Sequence, residues 1–344
     1  RSLITLGVGV QDNVAVFSQN KPESLFVEYG AFAIRSVLIP FYATSSGAQV
    51  QYMVNDANIR VVFVGEQQQY DAVWSVMSLC RCLEHIVIFD RSVQRNEADR
   101  LSIYFDEFLR LGQAEPTSLA QMHVRNSEAK EEDVANILYT SGTTGESKGV
   151  ILNYRQYHAA MEANDKCVPV GEKDRVINFL PFAHVFERGW AYLALTEGAR
   201  LIINTYPKEI QDSMRETHPT CMSSVPRFWE KVYVAVKQRM ESANAVERAL
   251  FNHALAVGRK RNIEYLSRGR RVPLAVELEY KVLNRSILSL VRKQIGLEEP
   301  NIFPTAGAYV SPEVEEFVHS IGIDMIVGYG LTESLATVSC DHRG

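Results

Sequence analysis

The sequence has no long apolar run. Its longest uncharged stretch, Ser36 to Asn55, is interrupted by Pro40, Gln49, Gln51 and Asn55, so it cannot supply the roughly 20-residue apolar span of a membrane-crossing helix. Cysteine is sparse and unpatterned. Cys80, Cys82, Cys167, Cys221 and Cys340 are odd in number and show no CxxC spacing, which argues for free thiols in a reducing compartment rather than a disulfide frame or zinc site. A cytoplasmic location is the resulting expectation. Positive charge is not in excess either: 36 Lys and Arg stand against 41 Asp and Glu, a formal net charge of −5. The bulk positive field of a nucleic-acid binder is therefore missing, and any polyanion must be held locally. No solenoid-type repeat or low-complexity tract is present. What remains is an ordinary globular composition, 46% hydrophobic and 22% charged over 344 residues. It excludes global disorder, collagen and coiled coil, and the length suggests about two compact units. The chain opens on Arg1 and stops at Gly344, and both ends read as cut points within a longer protein.

Short apolar runs alternate with helical stretches along the whole chain. Val14 to Phe17, Val37 to Ile39, Arg60 to Gly65 and His85 to Asp90 read as strands, with helices opened by Lys21-Pro22-Glu23 and spanning Ser46 to Ala57. Continuous rather than alternating apolar runs separated by helices predict a parallel sheet covered on both faces. The fold class is α/β. Arg91 to Asp133 is polar and weakly periodic and reads as a surface connection, dividing sub-domains of about 1–130 and 131–344. In the second of these, strands are expected at Ala135 to Thr140, Gly149 to Asn153, Val176 to Leu180, Arg200 to Asn204, Thr220 to Ser224, Asn301 to Pro304 and Asp324 to Val327. Residues 228–297 carry no strand signal and are rich in strong helix formers, so two or three inserted helices are expected there.

Chemistry concentrates first in Tyr139 to Val150, which contains Thr140, Ser141, Gly142, Thr143, Thr144, Gly145 and Lys148 between two apolar strands. Glycines let backbone N–H groups approach a ligand closely, and hydroxyls with one lysine add the donors and the mobile charge that a triphosphate needs. A Gly/Ser/Thr stretch can also be a flexible surface loop, and Walker A is excluded because Lys148 is followed by Gly149 rather than Ser or Thr.

The segment resembles the phosphate-loop signature of the adenylate-forming (AMP-binding) superfamily, with Ser147 where proline is frequent. Leu180-Pro181-Phe182-Ala183-His184-Val185-Phe186-Glu187-Arg188 is similar to the aromatic-and-histidine motif of the long-chain fatty acid–CoA ligase (acyl-CoA synthetase) branch. Gly328-Tyr329-Gly330-Leu331-Thr332-Glu333-Ser334 resembles the adenine- and metal-binding motif, and Asn301 to Glu313 the Gly-Gly-Ala segment, with Ala306 for its first glycine and Tyr309 where proline is common. The resemblance implies the large N-terminal AMP-binding domain over 1–344, built of stacked, mostly parallel sheets covered by helices with a helical insertion. It implies ATP phosphates held by Thr140 to Gly145 and Lys148, adenine on Tyr329 beside Gly307, Ala308 and Gly330, a phosphate contact from Thr332, and Mg²⁺ on Glu333. His184 is placed at the mouth of the acyl site, although a histidine between Phe182 and Phe186 is also an ordinary core residue; Trp190 is a second candidate lining residue.

The implied activity is ATP- and Mg²⁺-dependent conversion of a long-chain fatty acid to acyl-AMP and then, with coenzyme A, to the thioester. Catalytic contributions fall on His184, Thr332 and Glu333. The family's ribose-binding aspartate, hinge and lysine-bearing C-terminal domain are expected beyond Gly344, so the chain by itself is expected to be inactive. Two alternatives stay open: activation of an amino or aryl acid for loading on a carrier protein, and a nucleotide-binding module without catalysis. The basic run Arg259, Lys260, Arg261, Arg268, Arg270 and Arg271 reads either as a solvated helix face or as a peripheral contact with anionic lipid headgroups. Chain-length preference and oligomeric state are not legible.

Overall fold

Four strands of the first sheet, at 13–17, 37–41, 61–64 and 85–88, are short, almost wholly buried apolar runs, and that is why this part of the sheet has two covered faces. The computed structural model describes residues 1–140 and 147–341. Among the described residues, the first sheet has seven strands: β1 (Asn13–Phe17), β2 (Val37–Phe41), β3 (Val61–Val64), β4 (His85–Ile88), β5 (Ser102–Tyr104), β6 (Val134–Thr140) and β7 (Lys148–Asn153). Their order is β5-β4-β3-β1-β2-β6-β7, parallel throughout except for the β6–β7 hairpin. Alternate residues of one strand face opposite sides. Ala15, Phe17, Ile39, Val62 and Ile86 pack on one side of the sheet with the helices Gly47–Asp56 and Gln67–Val76; Val14, Val16, Leu38, Val61 and Val87 pack on the other with the helices Pro22–Ala33 and Phe105–Ala114. The helix over 47–56 starts where its cap dictates: Ser46 Oγ accepts the Gln49 N–H at 3.3 Å, and Gln49 Oε1 accepts the Ser46 N–H at 2.9 Å, a reciprocal cap that satisfies two otherwise orphaned amides.

The expected connection over Arg91 to Asp133 is in fact structured. It contains β5 and the helices Phe105–Ala114 and Thr117–Ser127. Buried Asp99 organises the entry, accepting the Leu101 and Ser102 amides at 2.9 and 3.0 Å and the Tyr70 hydroxyl at 2.7 Å.

By density of internal contacts the chain divides into a unit of Arg1–Ala160 with Pro181–Arg188 and a unit of Met161–Leu180 with Gly189–Gly344. The first unit thus includes the β6–β7 hairpin and an eight-residue segment delivered from later in the chain. In the second unit β8 (Arg175–Asn178) runs parallel to β9 (Arg200–Ile203), and β10 (Phe303–Thr305) runs parallel to β11 (Met325–Tyr329), which turns back antiparallel into β12 (Ser339–Cys340). Thr220 to Ser224, expected as a strand, makes only isolated bridges: Cys221 to Val176 and Ile302, and Ser224 to Thr305. The residues between carry four α-helices, Pro226–Glu241, Ala245–Arg259, Leu274–Leu283 and Ser289–Ile295, with π-helical turns at Lys260–Tyr265 and Asn284–Leu288. Their core gathers Trp229, Phe251, Tyr280, Leu288 and Phe317. Among the described residues no helix is long and apolar enough to cross a membrane, and no cysteine is bonded to another.

Candidate functional site

In the first unit the site is a hairpin tip. β6 and β7 pair from Val134↔Asn153 up to Thr140↔Lys148. Ser141, Gly142, Thr143, Thr144 and Gly145 lie outside the described residues, so the two strand ends define the site. Both ends are tied to the helix over 47–56. Tyr139 donates its hydroxyl proton to Asp56 Oδ2 at 2.5 Å, and Tyr52 donates to the Ser147 carbonyl at 3.0 Å; the two rings meet edge to face at 6.4 Å. Burial, reinforced by the Asp56 carboxylate, raises the Tyr139 pKa above that of a free phenol, so at neutral pH this hydroxyl is a fixed donor. Thr140 is half-buried and its Oγ1 lies 3.5 Å from the Lys148 carbonyl, while the Lys148 side chain is exposed.

His184 belongs to the same unit. It stands just before the helix Val185–Thr196, and its Nδ1 accepts the Phe186 N–H at 3.2 Å, an arrangement that leaves the proton of a neutral ring on Nε2. The residue reaches solvent yet is crowded enough that desolvation holds its pKa below the ordinary 6.5. Its segment is anchored from both sides. The Phe182 N–H donates to Asn20 Oδ1 at 3.0 Å, and the buried Arg188 guanidinium meets the Glu28 carboxylate, which also accepts from Asn136 Nδ2 of β6 at 3.2 Å. Around these groups lies a small cavity, lined by Ser18, Asn20, Glu28, Phe41, Phe182 and Arg188 among others.

In the second unit the remaining candidates lie at or just after the carboxyl ends of two neighbouring parallel strands, where open α/β sheets bind ligands. Thr305 of β10 pairs with Val327 of β11; two residues on from each come Gly307 and Tyr329. Gly307 has φ +93°, and Gly307 and Ala308 are exposed, leaving backbone open to an approaching ring. The Tyr329 ring is 60% exposed, unlike a core aromatic. Gly330 is needed for the turn that follows, because a Cβ there would overlap the Ala336 carbonyl oxygen. Thr332 and Glu333 sit in the 3₁₀ turn Thr332–Ser334 at the tip of the β11–β12 connection, Thr332 half-buried and Glu333 exposed. Trp190, in contrast, packs into the core with Leu193 and Ile302.

Sequence reasoning missed the groups that hold these ends. Tyr52, Asp56, Asn20 and Glu28 are one example. The other is buried Trp229, whose indole N–H donates to Ser224 Oγ at 2.8 Å and Thr305 Oγ1 at 3.0 Å, fixing β10 just before Gly307. None carries a local signal, since each partner is distant in sequence or lies outside the motifs.

The fold is shared with solved CoA-ligase structures. Across residues 1–344 the sequence matches the family described as AMP-binding enzyme, and the chain belongs to that family. It is 27% identical over 345 residues to long chain acyl-CoA synthetase 3 of Arabidopsis thaliana, covering 97% of this chain and 50% of that protein. It is 27% identical over 351 residues to the long-chain-fatty-acid–CoA ligase ACSBG2 of Rattus norvegicus, covering 99% of this chain and 51% of that protein. The chain thus spans about half the length of these relatives. Among solved structures it is similar in fold to the N-terminal domain of FACL13 from Mycobacterium tuberculosis (TM-score 0.65, 19% identity, covering 99% of this chain and 68% of that one). It is also similar to the anthranilate CoA ligase AuaEII (TM-score 0.70, 17% identity, covering 100% of this chain and 54% of that one).

Proposed function

We propose that this chain carries the nucleotide and acyl sites of an enzyme that activates a long-chain fatty acid with ATP and Mg²⁺ and passes the acyl group to coenzyme A. The observation that carries the reading is the placement of Gly307, Ala308, Tyr329 and Gly330 at adjoining strand ends, an open backbone and an exposed ring suited to a purine. The long-chain relatives favour a fatty acid. In the first step the substrate carboxylate oxygen attacks the α-phosphorus and pyrophosphate leaves; in the second the CoA sulfur attacks the acyl carbon, AMP leaves and the thiol proton passes to solvent. Both substrates of the first step are anions, so the protein's work is to position them and neutralise charge. Lys148 and the N–H groups of residues 141–145 would hold the phosphates, and His184, neutral at physiological pH, would border the carboxylate.

Among the described residues no three His, Cys, Asp or Glu side chains converge as a metal cage. A single exposed carboxylate on a turn fits a magnesium ion that arrives with its nucleotide, since Mg²⁺ usually takes one or two carboxylates plus phosphate oxygens. Glu333 would hold it, and the ion would offset the phosphate charge. The test is pyrophosphate release by the protein that carries this chain, measured over saturated acids of increasing length with amino and aryl acids alongside. Each buried methylene contributes about 0.8 kcal/mol, so the specificity ratio is expected to climb with length. Better activation of acetate, benzoate or an amino acid would overturn the long-chain reading.

A further inference from the structure

The basic run of the sequence is divided by the structure. Arg259 pairs with Glu264 at 2.6 Å and Glu316 at 3.1 Å, and Arg261 with Glu277 at 2.8 Å. These two arginines already have acidic partners. Arg268, Arg270 and Arg271 are exposed and have no ion-pair partner among the described residues. They lead through Pro273 into the helix Leu274–Leu283, which buries Val276 and Tyr280 on one side. On the other, Leu274, Leu278 and Val282 are 74%, 56% and 67% exposed, and their spacing of four puts them in one row. Lys281 and Arg285 flank the row, exposed and likewise without an ion-pair partner among the described residues.

The acids nearby are all engaged. Between Lys260 and Lys293 the chain has nine Lys and Arg against three acids, although the whole chain is net acidic. Glu264 is held by Arg259, Glu277 by Arg261, and Glu279 by His253 at 2.9 Å. The surplus cations are therefore left in water beside an apolar row. A single exposed leucine needs no explanation, but apolar residues in a helical row edged by Lys and Arg are the pattern of a helix lying in a membrane interface.

We propose that this face docks on a bilayer containing anionic lipid, with Leu274, Leu278 and Val282 entering the boundary between headgroups and acyl chains, and Arg268, Arg270, Arg271, Lys281 and Arg285 meeting the headgroups. Charge selects the occupant: an apolar protein partner would leave five cations without a counter-charge, whereas an anionic leaflet satisfies both halves of the face. The inference does not depend on the proposed reaction, and its test reads no turnover.

The chain is sedimented with phosphatidylcholine vesicles with and without phosphatidylserine, at low and high salt. Salt-sensitive binding to the anionic vesicles alone is expected. A basic residue near an anionic leaflet is worth about fivefold in partitioning, so the R268Q/R270Q/R271Q variant should bind roughly 100-fold more weakly. L274S/L278S should lose at least about tenfold, since each buried methylene is worth roughly fourfold. All five positions are exposed, and unchanged thermal unfolding checks that the variants fold. Removing the same charge at Arg81, Lys173 and Lys208 should leave binding in place. No binding, equal binding to neutral vesicles, equal loss in the remote triple variant, or self-association in vesicle-free solution that L274S/L278S abolishes would each overturn the proposal.

Discussion

Glu28 and Arg188 form an ion pair in which each side chain is only 3% exposed. One comes from the first-unit helix Pro22–Ala33 and the other from the last residue of the Pro181–Arg188 segment. Taking either charge out of water is costly, and the pair is tolerated because the two opposite charges meet and Asn136 adds a hydrogen bond to the carboxylate. Breaking one side leaves an uncompensated buried charge. Arg188→Met is therefore expected to destabilise the first unit by about 3–5 kcal/mol, while Glu28→Leu combined with Arg188→Met should cost clearly less. Urea unfolding of the single and double variants decides it: additive losses would show that the two side chains are not coupled.

A second buried pair anchors the start of the β6–β7 hairpin. Arg35 binds Asp133 through two bonds, at 2.7 and 3.1 Å, with side chains 10% and 9% exposed. The Arg35 guanidinium holds the Asp133 carboxyl below its ordinary 3.8. A carboxyl depressed in the folded state binds fewer protons there than in the unfolded chain, so its stabilisation is fully present above 3.8 and disappears as pH falls through the depressed value. Asp133→Asn should cost about 3 kcal/mol at neutral pH, and the gap from the parent chain should close well below pH 3.8. A gap that stays constant with pH would rule out this source of acid sensitivity.

Gly330→Ala tests the proposed adenine site of the second unit. The added methyl collides with the backbone carbonyl of Ala336, which no rotamer change relieves, so the β11–β12 turn must open. ATP affinity by calorimetry should drop at least about tenfold, as expected when backbone groups lose their placement by about an ångström. Because the turn is exposed, the melting temperature should move little. Unchanged affinity would separate this turn from the nucleotide.

Glu333→Gln keeps the size of the side chain and removes its charge. Metal ligation contributes several kcal/mol to phosphoryl chemistry, so acyl-AMP formation by the protein carrying this chain should fall by about two orders of magnitude and require more Mg²⁺. A normal rate at ordinary Mg²⁺ would remove Glu333 from the site.

The parts of the fold that the sequence displays are those decided locally. β1, β3 and β4 are apolar runs buried along nearly their full length, and Ser46 with Gln49 announces the helix between β2 and β3. β5 is hidden because it is three residues long and owes its place to Asp99 and Tyr70, which lie outside it. Thr220 to Ser224 looks like a strand but bridges its neighbours at single residues only. The site follows the same rule. The residue types at Lys148, Tyr329 and Glu333 are visible in order along the chain, whereas Tyr52, Glu28 and Trp229 act on partners that only folding brings close.

Pro181–Arg188 belongs to the first unit although the chain on both sides of it belongs to the second. The consequence is one of timing during synthesis. When Ala160 leaves the ribosome every strand of the first sheet has been made, yet Asn20 still lacks the Phe182 amide and Glu28 lacks its counter-ion. The nascent first unit therefore lacks the Glu28–Arg188 ion pair until Arg188 emerges, and a domain whose strands are complete must wait for a segment encoded downstream before it reaches full stability.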